Sequence, residues 1–140
     1  MERNLKVSLL PNWADVSDKN PDGPLTYVRS SSGLANPLQI SYSLYKGGKI
    51  PNPSDEQLVE LAKGLESVLG DCKLVSTSYG KCDFGKYGSA VFSSEGTPYT
   101  KSWYLSNGKD FIRATFICTT SPKDVEISEA DKIVEMLTIA

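Results

Sequence analysis

The sequence contains no histidine, and this absence removes several classes of enzyme. A Ser-His-Asp or Cys-His relay uses an imidazole as its base, and most catalytic zinc, copper and non-haem iron sites use imidazole ligands. A switch that titrates near neutral pH also loses its usual side chain. We therefore expect no metal and no cofactor. An enzyme would have to use carboxylates, lysines or a cysteine thiol instead.

Long apolar runs and clusters of positive charge are missing as well. Because no apolar run exceeds three residues, we predict neither a transmembrane helix nor the apolar core of a signal peptide. The net charge is -2, and Lys and Arg are dispersed, which disfavours nucleic acid and anionic membranes as partners. We expect a cytoplasmic protein, or a periplasmic or exported one if a signal peptide has been removed.

Cysteine is scarce, with three residues at wide spacing and no CxxC motif. An odd, widely spaced set does not indicate a disulfide framework. Cys118 lies in an apolar run and is predicted to be in the core, and a bridge between Cys72 and Cys82 is possible but not implied. Lys81 and Lys86 could lower the pKa of the Cys82 thiol. Without a histidine base, however, a hairpin loop is the favoured interpretation of this stretch.

The length of 140 residues favours a single domain spanning 1–140. A helix is predicted over 55–69, since Ser54 and Gln57 match a capping box and Gly70 matches a left-handed C-cap. Its apolar residues recur at helical spacing: Leu58, Leu61, Ala62, Leu65, Val68 and Leu69.

A second helix is predicted over 128–137, with Ser128 and Asp131 as cap candidates. Its start could lie earlier, after Pro122. The apolar stripe of this helix consists of Ala130, Ile133, Val134 and Leu137.

Most of the other segments are predicted to be strands, and 4–10 and 38–44 alternate apolar and polar residues with a period of two. Asn107-Gly108 between two strands predicts a type I′ hairpin, and apolar residues on both faces of the last strand predict a central position. Short links imply antiparallel pairing. We predict an α+β fold, an antiparallel sheet of about six or seven strands with one helix on each face (an α/β/α sandwich). The strands are predicted at 4–10, 25–30, 38–44, 72–79, 87–94, 99–105 and 111–119.

Aromatic residues are the best candidates for contacts with a protein partner, because Trp and Tyr dominate interface energetics. Core packing is the alternative for each of them and is favoured for Trp103, while tyrosine also suits half-buried strand positions. The candidate protein-binding residues are Trp13, Tyr45, Tyr99, Trp103 and Tyr104.

Two charged features have a simple alternative explanation. Gly47-Gly48 between Lys46 and Lys49 could cradle an anion, but a flexible turn is favoured. The acidic residues near the C-terminus could meet a basic partner, but a solvated helix face is favoured. These acids are Asp124, Glu126, Glu129, Asp131 and Glu135.

Three parts of the chain resemble one known family. They are Leu9-Leu10-Pro11-Asn12-Trp13, the segments 103–108 and 112–115, and the segment 129–137. They are similar, in this order, to the start, the late hairpin and the final helix of the PsbP-like (Mog-type) family. Known members are a photosystem lumenal subunit, a binder of a small nuclear-transport GTPase, and adaptor chaperones for type VI secretion effectors. The resemblance implies a protein-interaction domain. The missing histidines and targeting segment count against a photosynthetic role.

Three functions follow from these observations. The first is a non-enzymatic protein-binding domain, such as a bacterial adaptor, chaperone or immunity-type protein. The second is a small-ligand-binding domain with a tyrosine-lined pocket. The third, ranked last, is a histidine-independent enzyme that uses carboxylates, Lys or Cys82.

Overall fold

The computed structural model describes residues 5–19 and 21–139, and a seven-stranded antiparallel sheet dominates this part of the chain. The strand order is β2-β3-β4-β8-β7-β6-β5, with every neighbouring pair antiparallel. The prediction of an antiparallel sheet of six or seven strands is confirmed. The strands are β2 (Trp13–Asp15), β3 (Leu25–Arg29), β4 (Leu38–Ser43), β5 (Lys73–Cys82), β6 (Gly85–Ser93), β7 (Tyr99–Ser106) and β8 (Phe111–Cys118).

The strand β8 lies in the middle of this sheet, as its two-faced apolar pattern predicted. Alternate residues are fully buried, namely Ile112, Ala114, Phe116 and Cys118, and the residues between them are half-buried. A strand covered on both sides needs apolar residues on both faces, so the position of β8 follows from its sequence.

In the part of the chain that the structure describes, three α-helices accompany the sheet: α1 (Asp55–Lys63), α2 (Glu66–Leu69) and α3 (Asp124–Glu135). The predicted capping box begins α1, since Ser54 Oγ accepts from the Gln57 N–H at 3.1 Å and Gln57 Oε1 accepts from the Ser54 N–H at 2.8 Å. Gly70 ends α2 with φ of +76°, which favours glycine. The single helix predicted over 55–69 is instead broken at residues 64–65.

The apolar stripe of α1 and α2 is narrower than predicted. Leu58, Ala62 and Leu65 are buried, whereas Leu61 and Val68 are 42% and 74% exposed. The close approach of α1 to the sheet explains this difference. A Cβ atom on Gly88 of β6 would lie 2.3 Å from the Val59 nitrogen, so α1 rests directly on the strand backbone along one narrow row of side chains.

The helix α3 begins at Asp124, and the early-start alternative is therefore correct. Ser128 and Asp131 lie inside α3 and do not cap it, and Lys123 at the N-cap position makes no side-chain capping bond. The predicted stripe is confirmed, since Ala130, Ile133, Val134 and Leu137 are at most 1% exposed.

The two long helices cover opposite faces of the sheet, as predicted for an α/β/α sandwich. Adjacent residues of β7 show this directly. Trp103 packs in the core cluster that contains Ile133 and Val134 of α3, whereas Tyr104 packs against the cluster of Ala62 and Leu65. Successive strand residues point to opposite faces, so α3 lies on the Trp103 face and α1 on the Tyr104 face.

The N-terminal strand prediction over 4–10 is largely wrong. Residue 4 lies outside the described residues, and β1 spans Leu5–Lys6, pairing with β9 (Thr138–Ile139) in a separate two-stranded sheet. A turn then precedes β2, where the Trp13 N–H bonds the Leu10 carbonyl at 3.2 Å and Asn12 has φ of +76°. Pro11 has no N–H for a ladder, which explains the break.

The Asn107-Gly108 hairpin is present, but its turn type differs from the prediction. A four-residue loop over 107–110 joins β7 to β8, and Ser106 pairs with Phe111. Gly108 has φ of +101°, whereas Asn107 has no positive φ. The Asn107 Oδ1 atom instead accepts from the N–H groups of Lys109 and Asp110 at 3.0 and 2.8 Å. This Asx turn replaces type I′.

Candidate functional site: the outer edge of β5

The strand β5 forms a long, exposed edge of the sheet. It spans ten residues, and its first seven are exposed. Within residues 5–19 and 21–139, β5 pairs with β6 alone. The backbone N–H and C=O groups on its other side therefore have no partner strand there, and such an edge is a template for an added strand.

Large apolar side chains stand on this edge. Val75 and Tyr79 are 60% and 63% exposed, and Leu74 is 38% exposed. The register with β6 shifts between Leu74 and Ser76, so that Val75 is the extra residue of a β-bulge. Exposed apolar groups beside unpaired backbone are the combination that a bound strand would cover.

The turn after β5 is fixed to the rest of the protein. Phe84 is buried in the core, and the Asp83 N–H donates to the carbonyl of Glu135 at 3.0 Å. Gly85 has φ of +148°, and a Cβ atom there would lie 2.4 Å from the Ser106 carbonyl oxygen. The edge is therefore held at its turn end, and a partner would meet a preformed strand.

A hollow of about 600 Å³ opens beside this turn. Tyr79, Phe84 and Asn52 contribute to its wall, and Lys86 Nζ lies 4.0 Å from Asp55 Oδ1 there. This hollow is one candidate for the predicted tyrosine-lined ligand site, with Tyr79 as its tyrosine. A smaller cleft of about 160 Å³ is lined by two tyrosines, Tyr42 and Tyr104.

The cysteines do not form the predicted alternative bridge. Cys72, Cys82 and Cys118 are free, and the extended strand β5 separates Cys72 from Cys82 by about 30 Å. Burial raises the pKa of the Cys82 thiol, so the suggestion that the neighbouring lysines lower it is wrong. Burial also raises the pKa of Cys118 to about 12, as expected of a core thiol.

The two tryptophans among the five predicted binding residues lie in the core. Trp103 is 1% exposed and Trp13 is 7% exposed. The Trp13 Nε1–H donates to Glu129 Oε1 at 2.9 Å, which satisfies its polar end inside the protein. Neither side chain is presented to a partner in this structure.

The three tyrosines of that set are half-buried and do not share one surface. Tyr99 packs edge-on against Phe116, with ring centroids 6.2 Å apart, on the α3 face. Tyr104 lies on the α1 face, 5.7 Å from the guanidinium carbon of Arg113. The Tyr45 hydroxyl bonds the Gly48 carbonyl, inside the exposed turn that Gly47-Gly48 forms with positive φ at both residues.

The acidic face of α3 is not simply solvated, which corrects the favoured interpretation. Glu126 is 2% exposed and accepts hydrogen bonds from Ser32 Oγ at 2.8 Å and Asn36 Nδ2 at 3.0 Å. Glu129 accepts from Arg29 Nε at 2.8 Å, and Asp131 from Lys101 Nζ at 2.7 Å. These carboxylates join α3 to β3, to β7 and to the connection between β3 and β4 instead of facing a basic partner.

The described residues contain no group of three or more Cys, Asp or Glu side chains placed to hold a metal ion. None of the helices in the same part of the chain is long and apolar enough to cross a membrane.

Sequence reasoning missed β5 as a site because strand order is a long-range property. A strand was predicted over 72–79, but its apolar residues alone do not mark it as an edge. One signal was available. Leu74, Val75 and Tyr79 flank the small hydroxyl residues 76–78, and lysines stand only near the strand ends, at 73 and 81. Charge near the ends of a strand is typical of a protected edge.

The architecture defines a PsbP-like fold, in which an antiparallel sheet carries helices on both faces. Cyanobacterial PsbP (CyanoP) from Synechocystis has this fold: the two chains superpose with a TM-score of 0.58 at 11% identity, covering 97% of this chain and 92% of CyanoP. The resemblance that the sequence suggested is thus confirmed at the level of the fold.

Two further solved structures are similar. LpqN of Mycobacterium tuberculosis, which is involved in cell envelope biogenesis, has a TM-score of 0.60 at 15% identity, covering 99% of this chain and 84% of its own. A Bacteroides thetaiotaomicron protein has a TM-score of 0.53 at 13% identity, covering 97% of this chain and 45% of its own. No protein-family model and no curated protein sequence matches the chain.

Proposed function

We propose that this protein is a non-enzymatic binding domain that receives an extended segment of another protein along the outer edge of β5. The observation that supports it most is the combination in β5 of a long exposed edge with Val75 and Tyr79 more than half exposed. Main-chain hydrogen bonds of an added strand supply affinity, and alternate side chains supply specificity.

The charges on β5 disfavour a second copy of this strand in the register in which the two strands would overlap most fully. An antiparallel pair of β5 strands centred on Thr77 would set Lys73 opposite Lys81 twice, and like charges directly opposite each other are destabilising. The flanking residues Asp71 and Asp83 would also face each other. A partner segment with carboxylates opposite the two lysines meets no such repulsion, so the preferred occupant is an extended segment with acidic residues near both ends.

The resemblance to the PsbP-like family, some of whose members bind other proteins, favours a role of this kind by analogy of fold alone. An adaptor, chaperone or immunity-type protein would use such an edge to hold a client segment. The involvement of LpqN in cell envelope biogenesis favours the exported alternative for this chain over the cytoplasmic one. Fractionation of the native source decides between these compartments.

Quantitative affinity capture tests the proposal. The wild-type chain, Lys73→Glu/Lys81→Glu and the matched control Lys46→Glu/Lys49→Glu are immobilised and incubated with a lysate of the native source. Both variants change the net charge equally, and Lys46 and Lys49 lie in an exposed turn. We expect a protein enriched by the wild type and the control, and at least about tenfold less of it on the β5 variant.

Two results would contradict the proposal. One is equal retention of every enriched protein by the β5 variant and the wild type. The other is the absence of any protein enriched above a resin carrying an unrelated domain. The circular dichroism spectrum of each variant is recorded to confirm that its fold is intact.

A second candidate function is small-ligand binding in the hollow of about 600 Å³ beside the β5–β6 turn, a volume within the usual range of ligand pockets. Chemical-shift perturbation by a fragment library tests it. Saturable shifts at Tyr79 and Phe84 would support this function. Enzymatic activity ranks last, and Cys82→Ser is expected to leave partner capture and phenotype unchanged.

A further inference from the structure

One half of the α1 face of the sheet, named here the open half, is only partly covered. In the described residues, α1 packs mainly on β5, β6 and β7. Ser41 and Ser43 of β4 are exposed, and the β8 residues on this face are half-buried. Two small clefts of about 250 and 160 Å³ lie on this open half, and Ser41 and Arg113 line both of them. This region is three strand spacings, or about 14 Å, from β5, and it is separate from the proposed edge site.

Arg113 stands at the centre of this open half. It pairs in register with Ser41 of β4 on one side and with Tyr104 of β7 on the other. Its guanidinium carbon lies 5.7 Å from the Tyr104 ring centroid. The ring holds the guanidinium against the sheet by a cation–π interaction, so its donors are preorganised.

The guanidinium has no acceptor within the described part of the protein. Its Nε atom is buried and has no hydrogen-bond partner, and no carboxylate in residues 5–19 and 21–139 lies within salt-bridge distance of it. Arg29, on the opposite face, differs in this respect because its Nε–H donates to Glu129 at 2.8 Å. Because the Nε atom is closed to solvent, a group supplied from outside would meet the guanidinium at its terminal nitrogens, from the two clefts that Arg113 lines.

The surroundings of Arg113 suit an oxyanion. Hydroxyl or amide groups come from Ser41, Ser43, Thr115 and Gln39.

The wall of the larger cleft is apolar where Leu65, Val68 and Ile117 border it. A ligand with an oxyanion head and a short hydrocarbon part would therefore contact both kinds of surface. We propose that the open half of the α1 face binds such an oxyanion, a carboxylate or a phosphate, through a bidentate contact with Arg113.

Nuclear magnetic resonance tests this directly, because the chain has three arginines and hence three side-chain Nε–H signals. Hexanoate, hexyl phosphate and inorganic phosphate are titrated into the labelled full chain. We expect a saturable shift of the Arg113 Nε–H signal with at least one of them and none of the Arg29 signal. The two hexyl probes distinguish a carboxylate from a phosphate head, and inorganic phosphate shows whether the apolar wall contributes.

Matched variants make the test specific. Arg113→Lys keeps the charge but loses the planar fork, so the β8 amide shifts should report at least about tenfold weaker binding. Ser41→Ala should weaken binding a few fold, and Lys46→Met, a charge loss in the exposed turn, should not change it. Failure of all three probes to shift the Arg113 signal saturably would overturn the proposal. Unchanged binding in a folded Arg113→Lys variant would overturn it as well.

Discussion

Glu129 joins three elements through one carboxylate group. From α3 it accepts the Nε–H of Arg29 on β3 at 2.8 Å and the Nε1–H of Trp13 on β2 at 2.9 Å. The sequence placed Glu129 on a helix, but its partners are 100 and 116 residues away in the chain. Local pattern therefore predicts the helix and cannot predict that its acids face the sheet.

The charged hydrogen bonds of Glu129 should make stability depend on pH. The hydrogen bond from Arg29, followed by that from Trp13, lowers the pKa of Glu129. This carboxylate therefore stabilises the fold above the unfolded-state pKa, and the contribution is lost as the pH falls through the lower folded-state pKa. Glu129→Gln should reduce the free energy of unfolding by about 1 kcal/mol at pH 7. Urea denaturation measures this, and a loss that is equally large at pH 2 would contradict it.

Glu135, further along the same helix, should have the opposite effect on how stability depends on pH. Burial is the main cause that raises its pKa, so its ionised form opposes folding above that raised pKa, and the penalty disappears as the pH falls through it. Glu135→Gln is thus expected to increase the free energy of unfolding at pH 7 and to lose this advantage at low pH. Reduced stability of the variant at neutral pH in the same denaturation experiment would count against this assignment.

At the scale of elements, the capping box of α1, the strand periods and the central place of β8 follow from neighbouring residues. Where the observed bounds of a helix or strand differ from the predicted ones, the difference reflects contacts between residues that are distant in sequence. The helix over 55–69 breaks near Gly64, and α1 buries one narrow row of side chains because β6 presents Gly88 beneath it. The exposure of β5 likewise depends on the order of all seven strands.

The contact between α1 and β6 gives a prediction for this pair of elements. In Gly88→Ala the new Cβ would meet the Val59 nitrogen at 2.3 Å and the Leu58 carbonyl carbon at 2.5 Å. Both are backbone atoms, so α1 has to move, at a cost of about 1–3 kcal/mol. Gly96→Ala is the matched control, since nothing lies within 4 Å of its Cβ position. Equal melting temperatures for the two variants would contradict this account of the contact.

At the scale of the molecule, the missing histidines remove imidazole-based catalysis, and the fold identifies an architecture. The fold is that of CyanoP and LpqN at 11% and 15% identity, and such likeness carries architecture and no reaction. The sequence suggested that aromatic residues bind a partner, but the two tryptophans among the candidates are buried in the core. Two other surfaces of the described residues are candidates instead, namely the β5 edge and the Arg113 clefts. Both depend on which strands lie side by side, and this is why the residue pattern alone did not locate them.

Amide hydrogen exchange along β5 tests the central claim most directly. It is measured on the free chain and on its complex with the protein retained in the capture experiment. Bound as an added strand, the partner should slow exchange at alternate amides of Lys73–Cys82, because every second N–H of an edge strand points outward. Unchanged exchange in β5, with new protection confined to α3 or to the Arg113 face, would show that the partner binds elsewhere.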